Sequence, residues 1–473
     1  KKTVWQIPGP LYIPFLGTKW IFFSRYKISK LHEAYADLNQ KYGQIFREVT
    51  PSGIPIVHLF DRQDIEKVLR YPSKYPFRPP TEIVVLYRKS RPDRYASIGI
   101  TNEQGESWHN LRSKLTPHIT SPRILQAFLP TLNSICDDFI ELLRVKRDPE
   151  TFKLSDFQDY ANLMGLEAVC ALMLGTRLGF LSSGIHENDT IATLACAVKQ
   201  LFISERDSYY GMGLWRYLPT KTYKDFSKSE EIIYNVISKL VDDTLAAREL
   251  ECSEDDVRSV FLKILQTEDL DIRDKKSAII DFIAAGTETV ANTLSFILFY
   301  LSQHTHVKDR IYSEFAHTDG NIVQEDLSRA VFSKAFLQET YRIHPTAFCL
   351  ARILEEETVL SGFNLKAGTV VICQTMVACR REENFKDANT FRPERWLQDN
   401  KNSRTEVGAN IVVPFGTGKR SCPGKRFVEM ELILLIAKLS VAFDIDFDGV
   451  LETDCEFILA PKTPVNLIVK DRK

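Results

Sequence analysis

The chain has 473 residues, with 61 Lys and Arg against 62 Asp and Glu, a formal charge of −1. That balance excludes a protein that holds nucleic acid through a global basic excess, and 44% hydrophobic residues exclude a disordered chain, since they are enough for a large core. Length alone suggests about three domains of roughly 150 residues, yet no linker, repeat or composition break divides the chain. We therefore expect one domain over residues 1–473, with the N-terminal targeting segment absent from a sequence that starts Lys1-Lys2 rather than with Met.

In chain order, hydrophobic periodicity predicts a helix over residues 30–42, strands over 45–49 and 54–59, and a helix over 63–71. A helix after Gly105 follows, then helices over 121–145, 157–174, 227–248, 274–303, 307–315, 334–342 and 424–439. Short extended pieces return at 358–360, 369–372 and 466–469. The fold class is mainly α with a small β-rich portion near the N-terminus (α+β). Residues 278–301 are long enough to span a bilayer, but Asp281, Glu288 and Asn292 interrupt them. Each carboxylate would cost about 2.5–3.5 kcal/mol at a bilayer centre, so the segment reads better as the central buried helix of a large soluble domain.

Nine cysteines, including Cys252, show no Cys-x-x-Cys pair and no regular spacing, so a reducing compartment is expected rather than a disulfide framework. Most should serve as small buried hydrophobes. Cys422 differs in its neighbours: it sits in Pro414-Phe415-Gly416-Thr417-Gly418-Lys419-Arg420-Ser421-Cys422-Pro423-Gly424, where three glycines describe a tight loop before a helix start. Backbone N–H groups, a helix N-terminus and Arg420 favour a thiolate there. On the residues alone, that thiolate suits nucleophilic catalysis or metal ligation, and an ordinary loop cysteine is the bland alternative.

The pattern Phe415-x-x-Gly418-x-Arg420-x-Cys422-x-Gly424 resembles, in full, the haem-binding loop of the haem-thiolate monooxygenases, the cytochrome P450 family. The resemblance extends over essentially the whole chain. It implies a single fold with a long central helix over haem b, Cys422 as axial thiolate to the iron, and Arg420 beside a propionate. Glu339 and Arg342 form a Glu-x-x-Arg, followed by His344-Pro345 and by Phe391-Arg392-Pro393-Glu394-Arg395-Trp396. They resemble the family's buried Glu339–Arg342–Arg395 network, a folding element rather than a catalytic one. Ala285-Gly286-Thr287-Glu288-Thr289 matches the family's oxygen-activating stretch, in which Gly286 adjoins the cofactor, Thr289 assists oxygen activation and Glu288 belongs to a proton path. Read without the family, a mid-helix Gly and Thr equally suit a kink or close helix packing. Trp108, Arg112 and Arg352 resemble propionate contacts, and Phe415 a wall of the cofactor site.

Within the family, YPFRPPTE (75–82), YRKSRPDRY (87–95), NEQGE (102–106), ITSPR (119–123), GLEAVC (165–170) and LFISERDSYY (201–210) are similar to the mitochondrial-type sterol hydroxylases, the insect ecdysteroid hydroxylases among them. The implied reaction uses dioxygen to hydroxylate ecdysone at side-chain carbon 20, with other sterols or secosteroids as the alternative. Electrons would come from a ferredoxin and its NADPH reductase, docked on Lys334, Lys425 and Arg426, although Gln338 stands where a second Lys is usual. Residues carried over as substrate-facing are Ile98, Ile100, Ala284, Ala285, Phe348, Leu350 and Leu459. The apolar run 209–219, with Arg216 its one charge, implies a peripheral, non-spanning contact with the matrix side of the mitochondrial inner membrane; the endoplasmic reticulum membrane is the alternative location. A haem-thiolate sensor or carrier without turnover is the competing class, and the Glu288-Thr289 pair argues against it, because a carrier needs no proton path.

Overall fold

The structure is a computed structural model that describes residues 2–183, 189–248, 259–318, 320–397 and 408–472. Cys252 lies outside the described residues. Helices take up 57% of the chain, and the mainly α expectation is borne out. Several helices sit within one to three residues of the periodicity-based bounds, at Leu31–Tyr42, Pro122–Lys146 and Lys425–Ala442, and Phe157–Leu174 coincides with them. Two helices that periodicity did not mark, Glu82–Ser90 and Asp189–Tyr210, also form, and both help to wall the main cavity.

The β portion differs from the expectation in composition. The hairpin Ile45–Val49/Pro55–Leu59 does form near the N-terminus, but it is half of a four-stranded sheet. Val370–Cys373 pairs in parallel with Pro55–Leu59, and Leu350–Ile353 closes the sheet antiparallel to Val370–Cys373. Alternation within each strand gave no information about a partner some 300 residues away. A hairpin of Thr453–Glu456 and Ile458–Pro461, turning at Phe457 with φ +73°, reaches the cavity from the C-terminal side.

The central helix, Ile272–Gln303, starts at Asp271, whose side chain accepts the Arg273 N–H, and ends at His304. By length and composition it is the one helix among the described residues that could cross a membrane, and 67% of its most apolar stretch is buried in the fold. Its polar interruptions have partners inside the protein. Asp281 takes two bonds from Arg88, at 2.5 and 3.0 Å, and Asn292 accepts from Gln158 Nε2 at 2.5 Å. The helix packs against Phe157–Leu174, which is buried almost all round. Two glycines allow this crossing. A Cβ on Gly286 would lie 2.9 Å from Val169 Cγ2, and one on Gly165 would lie 2.9 Å from the Thr287 carbonyl oxygen, both closer than real Cβ contacts. Close helix packing is therefore part of what Gly286 does.

Candidate active site

A cavity of about 600 Å³ lies between the central helix, the cysteine loop, Asp189–Tyr210 and the hairpin turn at Phe457. The loop folds as its glycines require. Gly416 and Gly418 adopt φ +71° and +69°, values open to Gly at little cost. The Cys422 N–H donates to the Phe415 carbonyl at 2.7 Å, and Ser421 N–H to that of Gly418 at 3.0 Å. These bonds present Cys422 to the cavity rather than to the core. Burial raises its thiol pKa, while the Gly424 and Lys425 N–H groups and Arg112 pull it down. Cys136, Cys170, Cys373, Cys379 and Cys455 are buried, as expected of hydrophobic cysteines, whereas Cys196 is exposed.

All seven residues expected to adjoin the cofactor line this one cavity: Cys422, Arg420, Phe415, Trp108, Arg112, Arg352 and Gly286. The arginines lend themselves to a test of fit. Arg420 stacks its guanidinium 3.9 Å over the Trp108 ring and donates to the carbonyls of Pro76 and Glu103, both at 2.8 Å. Arg112 donates to the Ser421 carbonyl at 2.6 Å, and Arg352 to those of Ala351 and Thr417. A fourth cation, Arg78, lines the same wall and donates to the Thr101 carbonyl at 2.7 Å. None of the four has an ion-pair partner among the described residues. Burial and mutual repulsion lower Arg420 to about 9 and Arg78 to about 10, and burial lowers Arg112 and Arg352 as well. Guanidiniums gathered beside a presented thiol, bonded to carbonyls and in no ion pair with a carboxylate among the described residues, suit a flat dianionic ligand with a thiolate-ligated metal; haem fits. Arg78 was not singled out in the sequence, where its only signal is the flanking Pro76, Pro79 and Pro80, which hold the backbone extended.

The central helix turns Ala284, Ala285, Gly286 and Thr289 to the cavity, and the Thr289 hydroxyl donates to the Ala285 carbonyl at 2.8 Å. Glu288 faces elsewhere. It is buried outside the cavity wall, and burial, together with the neighbouring Glu456 carboxylate, lifts its pKa to about 8. Lys199 lies 3.4 Å from Glu456. Of the seven residues carried over as substrate-facing, Ile100, Ala284, Ala285, Phe348 and Leu350 line the cavity. Ile98 and Leu459 do not, which corrects both placements. Ile98 is tied by its backbone to Glu103 and Arg88, whereas Ile100, beyond Gly99 at φ +85°, turns inward. Leu459 is fully buried in a second core with Phe46 and Phe296. In that hairpin the cavity side belongs to the turn residue Phe457 and to Ile458, the first residue of the strand, and Leu459 faces the other way because successive strand residues alternate.

Glu339, Arg342 and Arg395 are brought together away from the cavity. Glu339 accepts from Arg342 Nε and Nη2 at 2.9 and 2.8 Å, from Arg395 Nε at 3.0 Å and from Trp396 Nε1 at 2.8 Å, and both ion pairs are fully shielded from solvent. Lys334 and Arg426 share a shallow groove with Gln338 and Glu429, and Tyr341 lines both this groove and the main cavity. Lys425 lies outside the groove, 3.9 Å from Glu429. The run 209–219 divides. Tyr210 and Trp215 are buried, whereas Leu214, Tyr217 and Leu218 are exposed and Arg216 pairs with Glu82 at 2.5 Å.

The family description "Cytochrome P450" matches residues 7–469. The chain is 60% identical to a Drosophila melanogaster protein described as "Ecdysone 20-monooxygenase", across 100% of this chain and 89% of that one. It is 28% identical to "Cytochrome P450 302a1, mitochondrial" of the same species, over 94% and 90% of the two chains. It is also 28% identical to the Mus musculus "1,25-dihydroxyvitamin D(3) 24-hydroxylase, mitochondrial", over 94% and 84%.

Proposed function

The chain belongs to the cytochrome P450 family and is a haem-thiolate monooxygenase, and from that premise we propose that residues 1–473 act as one unit that hydroxylates ecdysone at side-chain carbon 20. The observation that carries this reading is 60% identity along the full length to a protein of that activity. An elongated steroid also suits a cavity whose walls are apolar apart from a few convergent polar groups.

Cys422 would hold haem through its thiolate, and the bound haem would supply the redox chemistry that dioxygen activation needs. The chain's own residues set the conditions around it. Arg78, Arg112, Arg352 and Arg420 would hold the propionates by charge-assisted hydrogen bonds. Ala285 and Gly286 bring only small side chains to the wall beside the Thr289 hydroxyl, so a small ligand and a water have room there. Thr289 holds its proton on the Ala285 carbonyl and can turn the same O–H toward the cavity. Glu288, kept protonated at neutral pH by burial and by Glu456, stands one residue back as a proton store. Ile100, Phe348 and Leu350 exclude water from the apolar substrate wall and orient the steroid against it.

The groove holding Lys334 and Arg426, with Lys425 beside it, forms a basic face for an acidic ferredoxin. Leu214, Tyr217 and Leu218 form an apolar contact with the matrix face of the mitochondrial inner membrane, a location supported by the relatives described as mitochondrial. The test is reconstitution with ferredoxin, its reductase and NADPH, followed by product analysis with ecdysone, a cholesterol-like sterol and a vitamin-D-like secosteroid. We expect 20-hydroxyecdysone as the main product; turnover of either other steroid without turnover of ecdysone would overturn the assignment.

A further inference from the structure

Arg88 is the buried cation at a second polar region of the cavity wall. It makes two bonds to Asp281, and Glu230 lies 3.8 Å from it and also accepts from the Tyr95 hydroxyl at 3.3 Å. The pair needs Gly99, since a Cβ there would fall 2.1 Å from Arg88 Nη1. Asp281 and Glu230 are thus partnered within the protein. A third carboxyl, Glu205, is not. It sits on Asp189–Tyr210 on the same face as Leu201, Phe202 and Tyr209, spaced at helical intervals, and all four line the cavity. Its carboxyl has no hydrogen-bond or ion-pair partner among the described residues, although every other side chain on that face is apolar or aromatic.

We propose that Glu205 determines specificity by hydrogen-bonding a hydroxyl of a polyhydroxylated steroid, and so selects such steroids over sterols that present only hydrocarbon to this wall. The inference rests on the steroid reading above. Burial and the nearby Glu230 and Asp281 lift the Glu205 pKa to about 8, against a partial offset from Arg88 and Arg78. At neutral pH the carboxylic acid is therefore able both to donate to and to accept from an alcohol. A cationic ligand is disfavoured by the same protonation and by the two guanidiniums. A hydrocarbon placed against Glu205 would strip its water and return no bond, which is the costly case for a buried polar group. Sites that pair with a substrate hydroxyl reject analogues lacking it far more sharply than apolar pockets do.

The test is a binding cycle on the haem-loaded protein, read by equilibrium dialysis. It uses ecdysone and a set of ecdysone analogues, each lacking one hydroxyl, with wild type, Glu205→Leu and Glu205→Gln. Glu205→Leu should bind ecdysone about tenfold or more weakly, and Glu205→Gln within a few-fold of wild type. One deoxy analogue should lose affinity for wild type yet bind Glu205→Leu no worse than ecdysone does, the non-additivity of a direct contact. In turnover, KM should rise while kcat holds. An equal loss for every analogue, or no loss, would overturn the inference while ecdysone hydroxylation by wild type leaves the functional reading standing. Wild type that binds no ecdysone would overturn both. Should Glu205→Leu fail to fold, Glu205→Ala supplies the same cycle.

Discussion

Glu339→Gln probes the buried network at nearly constant volume. The carboxylate accepts from Arg342, Arg395, Trp396 and the Arg392 N–H at 2.8–3.0 Å, and the side chains of both ion pairs are 0% exposed. A Gln amide would turn one NH₂ against these donors and take the counter-charge from Arg342. Arg342 would keep its carbonyl partners at Cys379, Ala388 and Thr390, but none of these carries charge. Breaking one partner of a buried pair costs about 3–5 kcal/mol. An unfolding entropy of about 2.1 cal/mol/K per residue gives about 1 kcal/mol/K for this chain, and so a melting temperature lower by about 3–5 °C. The exposed pair Arg25–Asp37, 3.1 Å apart with side chains 50% and 44% exposed, is the control: Arg25→Gln should cost under about 1 kcal/mol. Calorimetry of the haem-loaded protein, with the reduced carbon monoxide spectrum as a check on the thiolate, reads both. A Glu339→Gln melting point within about 1 °C of wild type, at full haem content, would refute the reasoning.

Cys422→Ser should abolish the red-shifted carbon monoxide band of the ferrous protein, and survival of the band would move the ligand elsewhere. Thr289→Ala, which removes the hydroxyl from the cavity wall, should raise NADPH consumed per product formed several-fold with substrate affinity little changed; unchanged coupling would count against its role. Charge reversal at Lys334 and Arg426 together should raise the KM for ferredoxin about tenfold or more and flatten its salt dependence, whereas an unaltered salt profile would place docking on another face. Glu288 has a folded pKa of about 8 against 4.5 in the free side chain, so its contribution to stability is full below about 4.5 and lost as pH rises through about 8. Glu288→Gln should therefore be relatively more stable than wild type above pH 8 in thermal melts, and parallel profiles would show that the carboxyl does not titrate in this window.

What was legible from sequence was local. The cysteine loop could be read because glycines at fixed spacing, a cysteine and a helix start are all set within eleven residues. Phe157–Leu174 could be placed because an apolar run of that length bounded by Asp156 and Gly175 admits little else. Positions failed where orientation depends on distant chain. Leu459 was assigned to the cavity by position, but a hairpin turning at Phe457 presents adjacent residues to opposite sides, so an offset of one residue moved it into the core. Strand Val370–Cys373 could not be joined to Pro55–Leu59 by pattern, since parallel partners leave no turn between them. Arg78 and Glu205 were inside quoted runs, yet an Arg among prolines and an acid on a helix both pass for solvated surface. Only the assembled cavity shows them facing inward.

The net charge of −1 also conceals how charge is distributed. One part of the cavity wall holds four guanidiniums that form no ion pair among the described residues, and another holds three carboxyls around Arg88. Neither arrangement is favourable on its own terms, because unpaired buried charge is costly, and burial with the neighbouring guanidiniums lowers the Arg420 pKa accordingly. Such groups persist in a fold when something outside the chain completes them. In the proposed reading the cationic group is matched by an anionic cofactor held at Cys422, and the carboxyl left over at Glu205 by a neutral hydroxyl. The two regions thus set how a ligand lies in the cavity: its polar end is drawn to Glu205 and its hydrocarbon to the apolar wall by Thr289. Regioselectivity follows from the separation between these two points of attachment, so moving the carboxyl along the helix, as in Glu205→Leu with Phe202→Glu, should move the site of hydroxylation on the steroid. Product analysis by mass spectrometry and NMR reads that shift, and an unchanged product from a folded, active double variant would show that orientation is set elsewhere.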